Sequence, residues 1–149
     1  MDHASGLDSV VGNYTQFVNG QWCDASSGAR FDSINPYTGD VCATFPDAGP
    51  SDVDSAIGSA RDAFDRGPWG KMNGYERGRL MLRLADLLEK NADLVARTES
   101  IDNGKLIRET TSHCKFAVRS YRYFAGIADK LRGEVIPLDQ DEIFDYTMR

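Results

Sequence analysis

"FDSINPYTGDVCATFPDAGPSDVDSAIGSARDAFD", Phe31 to Asp65, changes its hydrophobic period part-way along. Up to Pro46, polar and apolar residues alternate around a turn marked by Pro36 and Gly39, which is the pattern of two short paired strands. From Ser51 onward, Val53, Ala56, Ile57, Ala60 and Phe64 recur at the helical period and share one face. Ser51 is placed to cap that helix. Asp52 and Asp54 fall in its first turn, where the helix dipole favours acids, and Gly67-Pro68 stops it. Local strand pairing followed by helix is the signature of an α+β arrangement.

The same reading extends in both directions. Upstream, "FVNGQW" (Phe17–Trp22) places Asn19-Gly20 between apolar-alternating flanks, predicting a hairpin with strands near Gln16–Val18 and Gln21–Cys23. Residues 1–13 are small and polar and are expected to form a disordered tail. Downstream, Asn73 and Glu76 form a capping pair for a second helix, whose stripe is Leu80, Met81, Leu84, Leu87 and Leu88. A third helix starts at Asn91, carries Leu94, Val95, Thr98 and Ile101, and breaks at Asn103-Gly104. A fourth is predicted over 107–131, with Phe116, Ala117, Tyr121, Phe124, Ala125 and Ala128 inward and a stop at Gly133. Finally "EIFDYTM" alternates Ile143, Phe144, Tyr146 and Met148 with Asp145 and Thr147, which predicts a half-buried strand. Such a strand needs a partner for its backbone groups.

Composition narrows the function classes. The net charge of −6 disfavours a nucleic-acid binder, and no apolar run approaches the roughly 20 residues of a membrane span. The N-terminus lacks the basic and apolar regions of a secretory signal, and three scattered cysteines suit a reducing compartment, so the expected location is cytoplasmic.

The search for catalytic chemistry is nearly empty. His113 and Cys114 are adjacent on a helix and point apart, so they make no nucleophile–base pair, and Cys114 reads as a packing residue. Ser112-His113-Cys114-Lys115 fits S-x-x-K without its partner motifs. There is no glycine-rich phosphate loop and no zinc-ligand spacing. One cluster stands out: Asp102 lies at a helix C-terminus, where the dipole disfavours a carboxylate. Either it is exposed in an Asn-Gly turn, or a cation or hydrogen bond compensates it.

These residues also carry a family resemblance. Phe17–Trp22, Asn35-Pro36-Tyr37-Thr38-Gly39, Glu76-Arg77 with Ala85-Asp86-Leu87-Leu88, Asp102-Asn103-Gly104-Lys105, Arg122–Lys130 and Tyr146–Arg149 occur in order. Together they resemble the opening of the NAD(P)-dependent aldehyde dehydrogenases. The resemblance implies the family's α/β fold, of which this chain is an N-terminal α+β portion: short N-terminal hairpins, four helices and one C-terminal assembly strand. It implies that 14–132 are the N-terminal part of a nucleotide-binding domain and 133–149 the first strand of an oligomerisation arm, with strand partners elsewhere in the polypeptide and in a neighbouring subunit. For the complete enzyme it implies aldehyde oxidation to a carboxylic acid with NAD(P)⁺ through a cysteine thioester that a glutamate-activated water hydrolyses. It places nucleophile, base and cofactor contacts beyond Arg149, leaving the isolated chain inactive, with no catalytic or cofactor-binding residue of its own. Carried over by position, Ser33, Ile34 and Asp102 match a site for Na⁺ or K⁺. Ser112 and Phe116 match the mouth of the substrate tunnel, and 133–149 a homo-oligomer strand. A rival reading of the residues is a non-catalytic interaction module that docks by its edge strands onto a full-length relative.

Overall fold

The computed structural model describes residues 12–148, and most of the expected tail, residues 1–11, lies outside the described residues. The last two tail residues are ordered into β1 (Gly12–Asn13), which runs parallel to β5 (Val41–Pro46). On the other side of β5 lies the antiparallel β4 (Arg30–Ile34), giving the order β1-β5-β4. The Asn19-Gly20 hairpin forms as predicted. Asn19 (φ 51°) and Gly20 (φ 77°) both take the left-handed conformation that its turn requires, joining β2 (Gln16–Val18) to β3 (Gln21–Cys23).

Four helices follow: α1 (Pro50–Arg66), α2 (Gly74–Lys90), α3 (Ala92–Asn103) and α4 (Ile107–Ile127), with a short 3₁₀ turn at Trp69–Lys71. The α2 cap is the predicted one, with Glu76 N–H donating to Asn73 Oδ1 at 2.9 Å and Asn73 N–H to Glu76 Oε2 at 3.1 Å. The α1 cap is not. Pro50 occupies the first helical position, so the cap moves to Gly49 and Ser51 lies inside the helix. Asp52 closes that end, accepting the N–H of Gly49 at 2.9 Å and of Ser26 at 3.1 Å.

The Gly49 bond, aided by Ser26 and opposed by desolvation, holds the Asp52 carboxyl below the usual aspartate range. A depressed folded-state pKa stabilises the protein above the ordinary aspartate value, and that contribution disappears as pH falls through the lower folded value. Melting curves taken from neutral pH to about pH 2 should therefore show an acid-sensitive component that Asp52→Asn removes. Identical acid profiles for the two proteins would contradict this.

The helical core is made of small residues. α2 and α4 pack antiparallel, with Gly78 and Ala85 on one side and Ala125 on the other. A Cβ built on Gly78 would lie 2.8 Å from the Ala125 carbonyl oxygen. α3 leans on α4, where Thr110 and Ser100 share a hydrogen bond of 2.9 Å. On the outer side, Arg122 of α4 binds Asp86 at 2.9 Å and Glu89 at 2.7 Å on α2.

Three expectations are corrected. The inward face of α4 is Thr110, Cys114, Val118 and Ala125, while Phe116, Tyr121 and Phe124 are exposed and the helix ends at Ile127. Only small side chains fit where three helices converge, so the aromatics fall on the outer faces. In α2 the apolar stripe is only half used: Met81 and Leu88 are partly covered, whereas Leu80, Leu84 and Leu87 are exposed. Lastly, the single terminal strand is two short ones, β6 (Val135–Ile136) and β7 (Asp145–Tyr146), which pair with each other. Pro137 supplies no N–H to extend β6, and the polar run at 139–142 reverses the chain. This arm is not half-buried, because every residue from Asp129 to Met148 is exposed.

Candidate functional site

The last turn of α3 presents unpaired carbonyls and the negative end of the helix dipole, and Asp102 adds a charge there. Gly104 (φ 76°) ends the helix in the left-handed conformation. Its Cα is so close to the turn after β4 that an added Cβ would sit 2.9 Å from Pro36 Cγ. The Asp-Asn-Gly and Asn-Pro turns, 69 positions apart for the pair Ser33 and Asp102, are thereby brought together, and the Ser33 hydroxyl donates to Asp102 Oδ1 at 3.1 Å. Both sequence readings of Asp102 hold in part: it is exposed, and a hydrogen bond compensates it.

A bulge shapes the strand side of this corner. Ser33 pairs with Ala43 and Ile34 with Val41, which leaves Cys42 without a register partner. The Cys42 thiol turns back and donates to the Ser33 carbonyl at 3.3 Å. Ile34, next in the strand, is about half exposed at 47%. Among the described residues no cluster of three or more His, Cys, Asp or Glu side chains is placed to hold a metal. What the corner offers is one carboxylate and backbone carbonyls, an oxygen set suited to a hard cation.

Beside this corner an apolar groove of about 480 Å³ runs between the sheet and α3. Phe45, Leu94, Val95 and Ile101 form its walls, with Glu99 and Asp102 also lining it. The Tyr14 ring stacks on Phe45 at 5.2 Å. Glu99 accepts from Lys105 at 2.7 Å and lies 3.6 Å from His113 Nδ1, tying the end of α3 to α4. The Lys105 bond, more than any other contact, holds the Glu99 carboxyl below the usual range.

Ser112 and Phe116 lie elsewhere. They occupy successive turns of α4, both exposed (Phe116 at 69%), and neither lines the groove. Cys42 and Cys114 are buried free thiols and Cys23 is half-buried, which agrees with the packing role read for Cys114. The structure thus brings Ser33 and Asp102 together, with Ile34 next along the strand, and places Ser112 and Phe116 on α4 outside this groove. The Cys42–Ser33 contact and the Glu99–Lys105–His113 cluster have no signal in sequence spacing, since a bulge position and a return across a helix turn are set by tertiary packing.

Comparison with known proteins agrees with this architecture. The aldehyde dehydrogenase family model matches residues 22–149. The mitochondrial 10-formyltetrahydrofolate dehydrogenase of Homo sapiens is 45% identical over 128 residues, covering 85% of this chain and 14% of that protein. Two solved structures superpose with TM-scores of 0.81 at 36% identity: an NAD-dependent aldehyde dehydrogenase from Sinorhizobium meliloti and the NAD⁺ complex of an aldehyde dehydrogenase from Bacillus cereus. Each match covers 90% of this chain and 27% of the other. The chain therefore spans about a quarter or less of the length of these relatives. Fold, motif order and the match over residues 22–149 agree: the chain belongs to the aldehyde dehydrogenase family.

Proposed function

We propose that this chain forms the N-terminal framework of an enzyme that oxidises an aldehyde to a carboxylic acid with NAD(P)⁺, and that by itself it turns over no aldehyde. The observation carrying this reading is the family match over residues 22–149 together with the share of the relatives that the chain spans. When bound, the nicotinamide accepts the hydride. No residue here is assigned to it, because the segment has no glycine-rich phosphate loop, and none of Cys23, Cys42 and Cys114 is assigned as nucleophile, because none falls at the family's nucleophile position in the resemblance. Assayed alone with NAD⁺ or NADP⁺ and a panel of aldehydes, the chain should form no reduced cofactor. Turnover that Cys114→Ser abolishes would overturn the proposal.

Within the complete enzyme, Ser33, Ile34 and Asp102 contribute ligands for Na⁺ or K⁺, supported by the meeting of Ser33 and Asp102. With one carboxylate in an exposed corner, binding to this chain alone is weak. Replacing choline chloride by potassium or sodium chloride at equal ionic strength should raise the melting temperature slightly in the parent and not in Asp102→Ala. An equal response in both would remove this assignment. Ser112 and Phe116 line the entrance for the aldehyde, supported by their neighbouring exposed positions. The arm at 133–149 joins subunits, supported by its row of exposed Ile136, Ile143, Phe144 and Tyr146. Phe116→Ala in the complete enzyme should change KM across aldehydes of different size. Deleting the arm should lower the oligomer mass in gel filtration. Unchanged values would refute each in turn.

A further inference from the structure

α1 poses a structural problem. It is a 17-residue amphipathic helix with no buried residue. Its apolar stripe stands in solvent, with Val53 at 45%, Ile57 at 62% and Phe64 at 77% exposed. Its main neighbours within the chain are the Trp69–Lys71 turn and β2. In proteins most helical stability comes from tertiary packing of an amphipathic face. α2 shows the same imbalance in milder form. Its apolar arc runs from Leu80, Leu84 and Leu87 round to Met81, Ala85 and Gly78, and α4 covers only the second half.

We infer that the stripe Val53–Ile57–Phe64 of α1 and the row Leu80–Leu84–Leu87 of α2 are docking faces for the part of an aldehyde dehydrogenase polypeptide that this chain does not contain. This rests on the function proposed above. The occupant is identified by the comparison: the solved relatives match this chain over 90% of its length at a TM-score of 0.81, and they contain almost three times as much polypeptide again. Contacts among the described residues bury no residue of α1, and the larger remainder offers the surface to hold it. The two rows differ in character. The α1 stripe is narrow and flanked by Asp54, Arg61 and Asp65, whereas the α2 row continues into a packed core. α1 therefore docks as a peripheral helix on one apolar patch, and α2 is an inner helix with α4 on one flank and the remainder on the other.

The test uses this chain alone and a chimera in which it replaces the matching 27% of the Bacillus cereus enzyme. Amide hydrogen exchange should show α1 nearly unprotected in the isolated chain and protected at least about a hundredfold more in the chimera. Ile57→Glu should remove that gain in the chimera and leave exchange in the isolated chain unchanged. Leu84→Glu should lower the melting temperature of the chimera more than that of the isolated chain. Ser55→Glu, on the polar face of α1, should do neither. Equal protection of α1 in both proteins, or substitutions that act equally in both, would overturn the inference. So would self-association of the isolated chain that Ile57→Glu abolishes, because the occupant would then be a second copy. A chimera with a protected α1 and no dehydrogenase activity would count against the proposed function while leaving the docking faces in place.

Discussion

Gly78→Val is expected to destabilise the protein by about 2–3 kcal/mol, the cost of overpacking a close helix contact. The Cβ alone meets the Ala125 carbonyl oxygen at 2.8 Å and the Ala128 Cβ at 3.6 Å, and valine adds two methyl groups. The first of these neighbours is backbone, so relief requires α2 and α4 to separate. Helix propensity works the other way, since glycine is worse than valine by only a few tenths of a kcal/mol, and the steric effect wins. Gly58 supplies the control. It lies mid-helix in α1 with nothing within 4 Å of an added Cβ. Gly58→Ala should stabilise α1 by about 0.5–1 kcal/mol. Urea unfolding checks Gly78→Val and amide exchange within α1 checks Gly58→Ala, and a Gly78→Val protein as stable as the parent would refute the packing described for α2 and α4.

Thr110→Val should cost about 1–3 kcal/mol, although the two side chains have nearly the same shape. Thr110 is fully buried, and its hydroxyl both pairs with Ser100 Oγ at 2.9 Å and donates to the Ile107 carbonyl at 3.1 Å. The Ile107 carbonyl keeps the Thr111 hydroxyl at 2.7 Å, so the loss falls mainly on Ser100. Adding Ser100→Ala should therefore cost less than the sum of the two single effects, because the group left unpaired has been removed. Strict additivity would mean that the two hydroxyls do not act as a pair. The same contact fixes the end of α3, and with it the position of Asp102 opposite Ser33.

Local signals were legible in the sequence, and distant ones were not. Asn19-Gly20, the Asn73–Glu76 cap and the Gly104 stop each follow from backbone chemistry within four residues, and each appears where expected. The α1 cap failed because the Pro50 preference for the first turn outweighs the Ser51 side chain as a cap. The α4 face failed because two stripes overlap at Ala125, and only the partners decide which is inward. Thr110 and Cys114 win by being small enough for close approach. For the candidate site, the awkward Asp102 charge was readable from the helix end alone. Ser33 came only from the family resemblance, and the Cys42 bulge from neither source.

The proposed role of this chain is to supply a working N-terminal framework to an aldehyde dehydrogenase. Steady-state aldehyde oxidation with NAD⁺ by the Bacillus cereus chimera tests it most directly. The chimera should turn over within about tenfold of the parent enzyme, a difference of roughly 1.4 kcal/mol in the barrier, and the isolated chain not at all. A folded chimera that binds NAD⁺ but oxidises no aldehyde, or an isolated chain that does, would contradict it.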